Sequence, residues 1–439
     1  MSAPPITLVE GQELLAPLAC FPHVALAVSG GPDSLALLHL AARWREARGG
    51  SPALNVLTVD HRLRAGSRSE AEMVARMAAT LGLPHAILSW ESPAPVAAGL
   101  QAKARTARYD LMAAYCHAND IPALVTAHTQ DDQAETFLMR LKRGSGLDGL
   151  AAIPDAGAWA GISVLRPLLD VAKARLVATL DEAGMSFVSD PSNVDARFER
   201  VRLRKSTDAL AALGLTPEAL ALSARRLRRA RAALDQAAGD FLAANSETNE
   251  AGYALIDRDA LDAAPQEIAL RALAQLIGTV GGGETPVQLV KLENLLAALR
   301  ADAGKAHTLG RCRLEPWSGR LGIFREMRGT GLPVAPLRPG ERLLWDNRFR
   351  IELGAHETRP IMVRALGESG WRTLRDRSVL ASSLPRLAGR TLPACWRGDE
   401  LLGLPLFGSA GAGERLGLDC RARFVRAGMP QDGAEQAIA

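Results

Sequence analysis

The chain has 439 residues, 48% apolar and 23% charged, with a mean hydropathy of +0.01 and a net charge of +4. That length allows two or three domains with ordinary cores. No apolar run approaches the ~20 residues of a membrane span. The opening "MSAPPITLVEGQELLAPLACF" lacks the basic start and long apolar core of a secretory signal, so a cytoplasmic protein is expected.

Taken in chain order, apolar runs alternate with helical periodicity. Strands are predicted at 24–30 ("VALAVSG"), 53–61, 85–90 and 123–129, with helices near 34–47, 69–81, 101–117 and 130–142. Short apolar strands without polar alternation, separated by helices, predict a parallel sheet covered on both faces. Ligands then bind beyond the carboxyl ends of the strands. Residues 166–193 lead into a helical and basic stretch: positions 197–232 hold ten basic residues and three acidic ones. A helical region is predicted at 258–301 and a hairpin at 311–326, followed by a linker and a small mixed α/β domain. The expected domains are 1–215, 216–330 (mainly helical) and 331–439 (small mixed α/β). Residues 331–439 carry 16 arginines against 12 acids, so the two local basic regions suggest a polyanionic partner. The five cysteines lie far apart, without a CxxC, and are expected to be small buried apolar residues.

The stretch Ser29-Gly30-Gly31-Pro32-Asp33-Ser34 joins a predicted strand to a predicted helix. Glycines permit positive φ and close backbone approach, and the helix start directs N–H donors at the same spot. Ser29 and Ser34 add hydroxyls. Asp33 would repel a phosphate unless a cation lies between them, which implies Mg²⁺. A capping role for Asp33 is the plain alternative; the serines and the aspartate together favour a nucleotide site. "SGGPDS" resembles the pyrophosphate loop of the N-type ATP pyrophosphatases, which implies an adenine nucleotide alpha hydrolase-like fold and attack of a substrate oxygen on the ATP α-phosphate.

A second segment, "AHTQDDQAETFLMRLKRGSGLDGLAAIP" (127–154), places Asp132 and Glu135 on one face of a helix near its start. Gly144-x-Gly146-x-x-Gly149 follows a helix rather than a strand, so it is read as a tight loop and not a dinucleotide fingerprint. His128 has no second His or Cys at ligand spacing, so no metal role is assigned to it.

With "VDHRLR" (59–64), "QAKARTARYDL" (101–111), "LRPLL" (165–169) and "DPSNVDARFER" (190–200), this segment is similar to the signature of the tRNA(Ile)-lysidine synthetases. The resemblance covers most of residues 24–204. It implies ATP-dependent ligation of L-lysine to C2 of the wobble cytidine of the CAU anticodon of tRNA(Ile), through an adenylated cytidine. AMP and pyrophosphate are released, and the codon read changes from AUG to AUA.

Site roles follow as expectations. ATP would be held by Ser29, Gly30, Gly31, Pro32, Asp33, Ser34 and His61. Asp33, Asp132 and Glu135 would be catalytic. Asp33 and Asp132 suit Mg²⁺, and Asp132 and Glu135 suit the lysine ammonium; both roles of Asp132 stay open. Arg105, Arg108, Arg143, Arg200, Arg204, Arg372 and Arg375 are candidates for phosphate or tRNA. Arg225, Arg226, Arg228 and Arg229 could track phosphates as well. Val201 stands where the family pattern has Asn. Trp371 and Trp396 are expected in the core. A homodimer is the expected assembly. The rival readings are another tRNA-modifying ATP pyrophosphatase, such as a thiolase, and a non-catalytic nucleotide-dependent tRNA-binding protein.

Overall fold

The computed structural model describes residues 3–62, 66–90, 100–187, 199–283, 285–302, 304–327, 331–377, 384–406 and 418–425, with backbone only at 100–102 and 374–377. Two compact units are present, Met1–Arg231 and Ala232–Ala434, and the division falls inside the long helix Pro217–Asn245.

In the N-terminal unit, strands β1 (His23–Ala27), β2 (Ala53–Asp60), β3 (His85–Ser89), β4 (Ala123–Thr126), β5 (Ala156–Trp159) and β6 (Ile162–Leu165) form one sheet in the order β3-β2-β1-β4-β6-β5. Every pair is parallel except the edge hairpin β5–β6. The hairpin was not expected, because "AGAW" and "ISVL" are four-residue runs without a strong strand pattern.

Successive side chains of a strand point to opposite faces. Val24, Leu26, Val56 and Val125 therefore pack under helices α1 (Leu8–Leu15), α2 (Pro32–Ala47), α3 (Ser67–Thr80) and α7 (Lys173–Glu182). Ala25, Leu57 and Leu124 pack on the other face against Tyr109, Met112 and Cys116 of α4 (Leu100–Ala118). This double burial explains why these strands read as continuous apolar runs.

The chain goes from β1 to β2 on one side and later returns to β4 on the other. The loops leaving β1 and β4 consequently diverge, and the crevice between them is a topological switch point.

The C-terminal unit is richer in strands than expected. Helices Arg258–Ala263, Gln266–Gly281 and Leu289–Ala301 accompany a five-stranded antiparallel sheet containing the expected hairpin, Cys312–Trp317 and Arg320–Arg325. A four-stranded and a three-stranded sheet follow, with the helix Gly367–Arg377 between strands. Trp371 and Trp396 are both buried, in one apolar cluster. Four cysteines are buried as expected; Cys20 is exposed instead, at the end of a short surface 3₁₀ turn. Among the described residues no helix is long and apolar enough to cross a membrane.

Candidate active site

The β1–α2 loop turns where the sequence places its glycines. Gly30 has φ +86°, and a Cβ there would meet Met73 at 3.4 Å and Val74 at 3.5 Å. Gly31 caps α2 and Pro32 occupies its first turn, where the missing N–H is harmless. Ser34 is buried, and its hydroxyl closes the loop from inside. It donates to the Gly31 carbonyl at 3.0 Å, accepts from the Ser29 N–H at 3.1 Å and lies 3.3 Å from Ser29 Oγ. Ser34 thus shapes the loop at the start of α2, where the N–H groups of a helix lack intrahelical acceptors.

Asp33 sits in that first turn. Its Oδ2 accepts from Lys173 Nζ at 3.0 Å, whereas its buried Oδ1 has no hydrogen-bond partner. Burial raises the Asp33 pKa; Lys173 opposes that shift, and Asp132 and Asp131 reinforce it.

Across the crevice, α5 (Gln130–Leu141) leaves β4. Thr129 and Asp132 form a reciprocal capping box, Asp132 Oδ2 accepting from the Thr129 N–H at 3.0 Å. Asp131 Oδ2 accepts the Lys173 backbone N–H at 2.8 Å, and the Gln130 N–H donates to the Val171 carbonyl at 3.0 Å. Those two bonds fix the start of α7 against α5, and so fix where Lys173 begins. Glu135 is buried one turn further along. It is held by Arg204 through Nε and Nη2, with Arg200 Nε at 3.8 Å. Burial raises the Glu135 pKa, and Arg204 works against it.

Asp33, Asp131, Asp132, Glu135, Lys173 and Arg204 line one cavity of about 380 Å³, whose remaining wall is mostly apolar and includes Leu138, Phe187 and Leu203. Sequence reasoning missed Lys173, which lies 140 residues from its partner Asp33. The available signal was a lysine soon after "RPLL" in a chain that otherwise strongly prefers arginine.

Other candidates lie apart from this cluster. His61, at the carboxyl end of β2, accepts from Arg108 Nε at 3.2 Å and lies 3.1 Å from its Nη2. Burial and Arg108 lower the His61 pKa to about 4. Arg105 lies over the Tyr109 ring. Arg143 and Lys142 both pair with Glu199. Gly144, at φ +65°, ends α5, and Gly146 starts the next short helix, as expected of a loop. Arg228 turns inward to Asp155 and the Ile153 carbonyl, while Arg226 and Arg229 are exposed. Val201 is buried on helix α8 (Glu199–Lys205). In the C-terminal unit Arg372 is exposed, 3.7 Å from Glu368. The Arg375 side chain, Leu63 and Arg64, and residues 190–198 lie outside the described residues.

The PP-loop domain model matches residues 9–209, the span that holds every charged residue lining the cavity. The tRNA(Ile)-lysidine synthase of a Bradyrhizobium species is 48% identical over 303 residues, covering 67% of this chain and 84% of the relative. The tRNA(Ile)-lysidine synthase of Ruegeria pomeroyi is 38% identical over 389 residues, covering 88% of this chain and 89% of its own. This chain belongs to the tRNA(Ile)-lysidine synthase family. A third member, from Rhodopseudomonas palustris, is 43% identical over 338 residues, 76% of this chain and 96% of the relative. Family membership accords with the pyrophosphate loop after β1 and the acidic helix start after β4, which together frame the cavity.

Proposed function

We propose that the protein ligates L-lysine to C2 of the wobble cytidine of CAU-bearing tRNA(Ile), in the cytoplasm. The observation that carries this reading is the convergence of Asp33, Asp132, Glu135 and Lys173 on one cavity at the switch point of a PP-loop fold.

ATP lies with its phosphates on the β1–α2 loop, where the first-turn N–H groups of α2 meet the charge. The cytidine O2 attacks the α-phosphorus, the bond to the bridging oxygen breaks, and pyrophosphate leaves with the electron pair. Lys173 Nζ, 3.0 Å from Asp33, is the cation placed to accompany that charge. The unpartnered Oδ1 of Asp33 and the neighbouring Asp132 would hold Mg²⁺, a cation commonly bound through one or two carboxylates together with substrate phosphates. When bound, that ion neutralises charge on the departing pyrophosphate.

Lysine then enters with its ammonium toward Asp132 and Glu135 and its methylenes along the apolar wall. Its reactive amine must lose a proton before attacking C2, and Glu135, its pKa raised by burial, is a suitable acceptor. Attack expels AMP and leaves lysidine. The exposed arginines Arg105, Arg226, Arg229 and Arg372 are assigned to the tRNA backbone, where phosphate contacts position the RNA and weaken with salt.

A thiolase would need a reactive cysteine. Cys116 is buried under the sheet, with its thiol pushed up to about 11, and Cys20 lies on the surface away from the cavity lining.

The test is AMP release from ATP by purified protein with Mg²⁺, L-lysine and unmodified CAU-bearing tRNA(Ile), each omitted in turn, with digestion of the tRNA to detect lysidine. Lysine-dependent lysidine is the expected result. AMP release that needs tRNA but not lysine would move the assignment to another nucleophile.

A further inference from the structure

Two groups assigned above to different ligands are bound to each other. Glu135, the acceptor for the lysine ammonium, is held by the guanidinium of Arg204, a candidate for RNA phosphate. Arg200, four residues earlier on α8 and so on the same helix face, lies 3.8 Å from Glu135 and 3.9 Å from Asp132. The arginine face of α8 therefore covers the two carboxylates that a lysine ammonium needs. Glu135 cannot serve lysine while Arg204 fills its oxygens, and Arg204 cannot serve phosphate while it holds Glu135.

The two partners are also unequally placed. The Glu135 side chain is 9% exposed, whereas that of Arg204 is 40% exposed. The carboxylate is fixed inside the cavity wall, and the guanidinium comes from the solvent side. A cation so exposed gains little net stability from its pair and is easily exchanged for another anion. Glu135 cannot stay bare, because a buried carboxylate without a partner is costly. Departure of Arg204 therefore favours arrival of another cation.

We infer that Arg204 is an exchangeable occupant of the lysine site: an RNA phosphate that draws its guanidinium off Glu135 opens the site to L-lysine. The inference rests on the lysidine-forming reading and adds its regulation. Lysine binding is coupled to tRNA binding, which keeps the amine out of the site until the base it must attack is present. Coupling of this kind is reciprocal, so lysine strengthens tRNA binding by the same factor.

The experiment is calorimetric titration of L-lysine into the full chain without ATP, alone and saturated with unmodified CAU-bearing tRNA(Ile). In the wild type, tRNA is expected to tighten lysine binding ~10-fold, within the usual range of coupling factors. Arg204→Gln should bind lysine without tRNA about as tightly as the wild type does with it, and added tRNA should change that affinity by less than about twofold. Arg204→Lys, which keeps the charge but not the fork, should retain a reduced coupling. It also carries the test if the Gln variant does not fold. The converse titration of tRNA with and without saturating lysine should give the same factor, which a purely structural arginine would not produce. Equal lysine affinity in the wild type with and without tRNA overturns the inference, as does unchanged or weaker tRNA-free binding in Arg204→Gln. Lysidine formation by the wild type alongside either result overturns the coupling alone. No lysine binding and no lysidine in any condition overturns the reading of the site as well.

Discussion

In the N-terminal unit, Asp33 and Glu135 meet Lys173 and Arg204 on a cavity wall, and both cations keep substantial contact with solvent. In the C-terminal unit, Asp346 holds Arg325 and Arg348 with all three side chains buried, Arg348 entirely so. Arg348 also donates to the Thr391 and Gly252 carbonyls, and Arg325 donates to those of Arg311 and Glu326. The residue types are the same and the consequences differ. An ion pair at a cavity wall can exchange partners at little cost, whereas a buried one with every guanidinium nitrogen engaged fixes the segments around it.

The sharpest way to break this contrast is to remove Asp346. Asp346→Ala leaves two buried guanidinium groups facing each other without their carboxylate. It should lower the stability of the C-terminal unit by ~3–5 kcal/mol, read as an earlier denaturant transition by circular dichroism. Asp33→Ala should act on turnover rather than on stability. The rate of pyrophosphate release should fall by roughly 10²–10³-fold, while the unfolding transition stays close to that of the wild type. A large loss of stability in that variant would mean that the two kinds of pair are not distinct. Lys173→Ala should come next, weakening inorganic pyrophosphate as a product inhibitor by about tenfold, with partial recovery in Lys173→Arg. Unchanged inhibition would make Lys173 a structural partner of Asp33 only.

The smallest effect concerns two histidines near the strand ends. Burial lowers both His61 and His128 to about 4. As pH falls from about 6.5 toward 4, the unfolded chain takes up these protons and the folded chain does not. Stability contributed by the neutral imidazoles is therefore fully present above the unfolded pKa and declines through this window. Melting temperatures across it should fall less steeply in His61→Gln than in the wild type, and an identical slope would contradict the assignment.

What the sequence disclosed depended on distance along the chain. The loop 29–34 was legible because each of its features is local: a positive φ at Gly30, a proline at a helix start, an acid in the first turn. Asp132 and Glu135 were legible for the same reason. Lys173 on Asp33 and Arg204 on Glu135 were not, since the pairs are separated by 140 and 69 residues and arise only once α7 and α8 have packed. The four-strand core of the sheet was readable because burial on both faces leaves no polar alternation. The strand Ser246–Asn249 was missed because "SETN" is polar and becomes a strand only by pairing with Tyr253–Ile256. Arg348 was invisible as a core residue, since nothing local marks an arginine for full burial.

The internal bonding of the β1–α2 loop has a kinetic consequence. Ser34 Oγ joins the Gly31 carbonyl, the Ser29 N–H and the Ser29 hydroxyl, all bonds that the loop makes with itself. A mould already set needs no folding step to receive its cast. ATP should load in a single phase at a rate that rises in proportion to its concentration, and slow phases in a turnover should follow the arrival of the RNA.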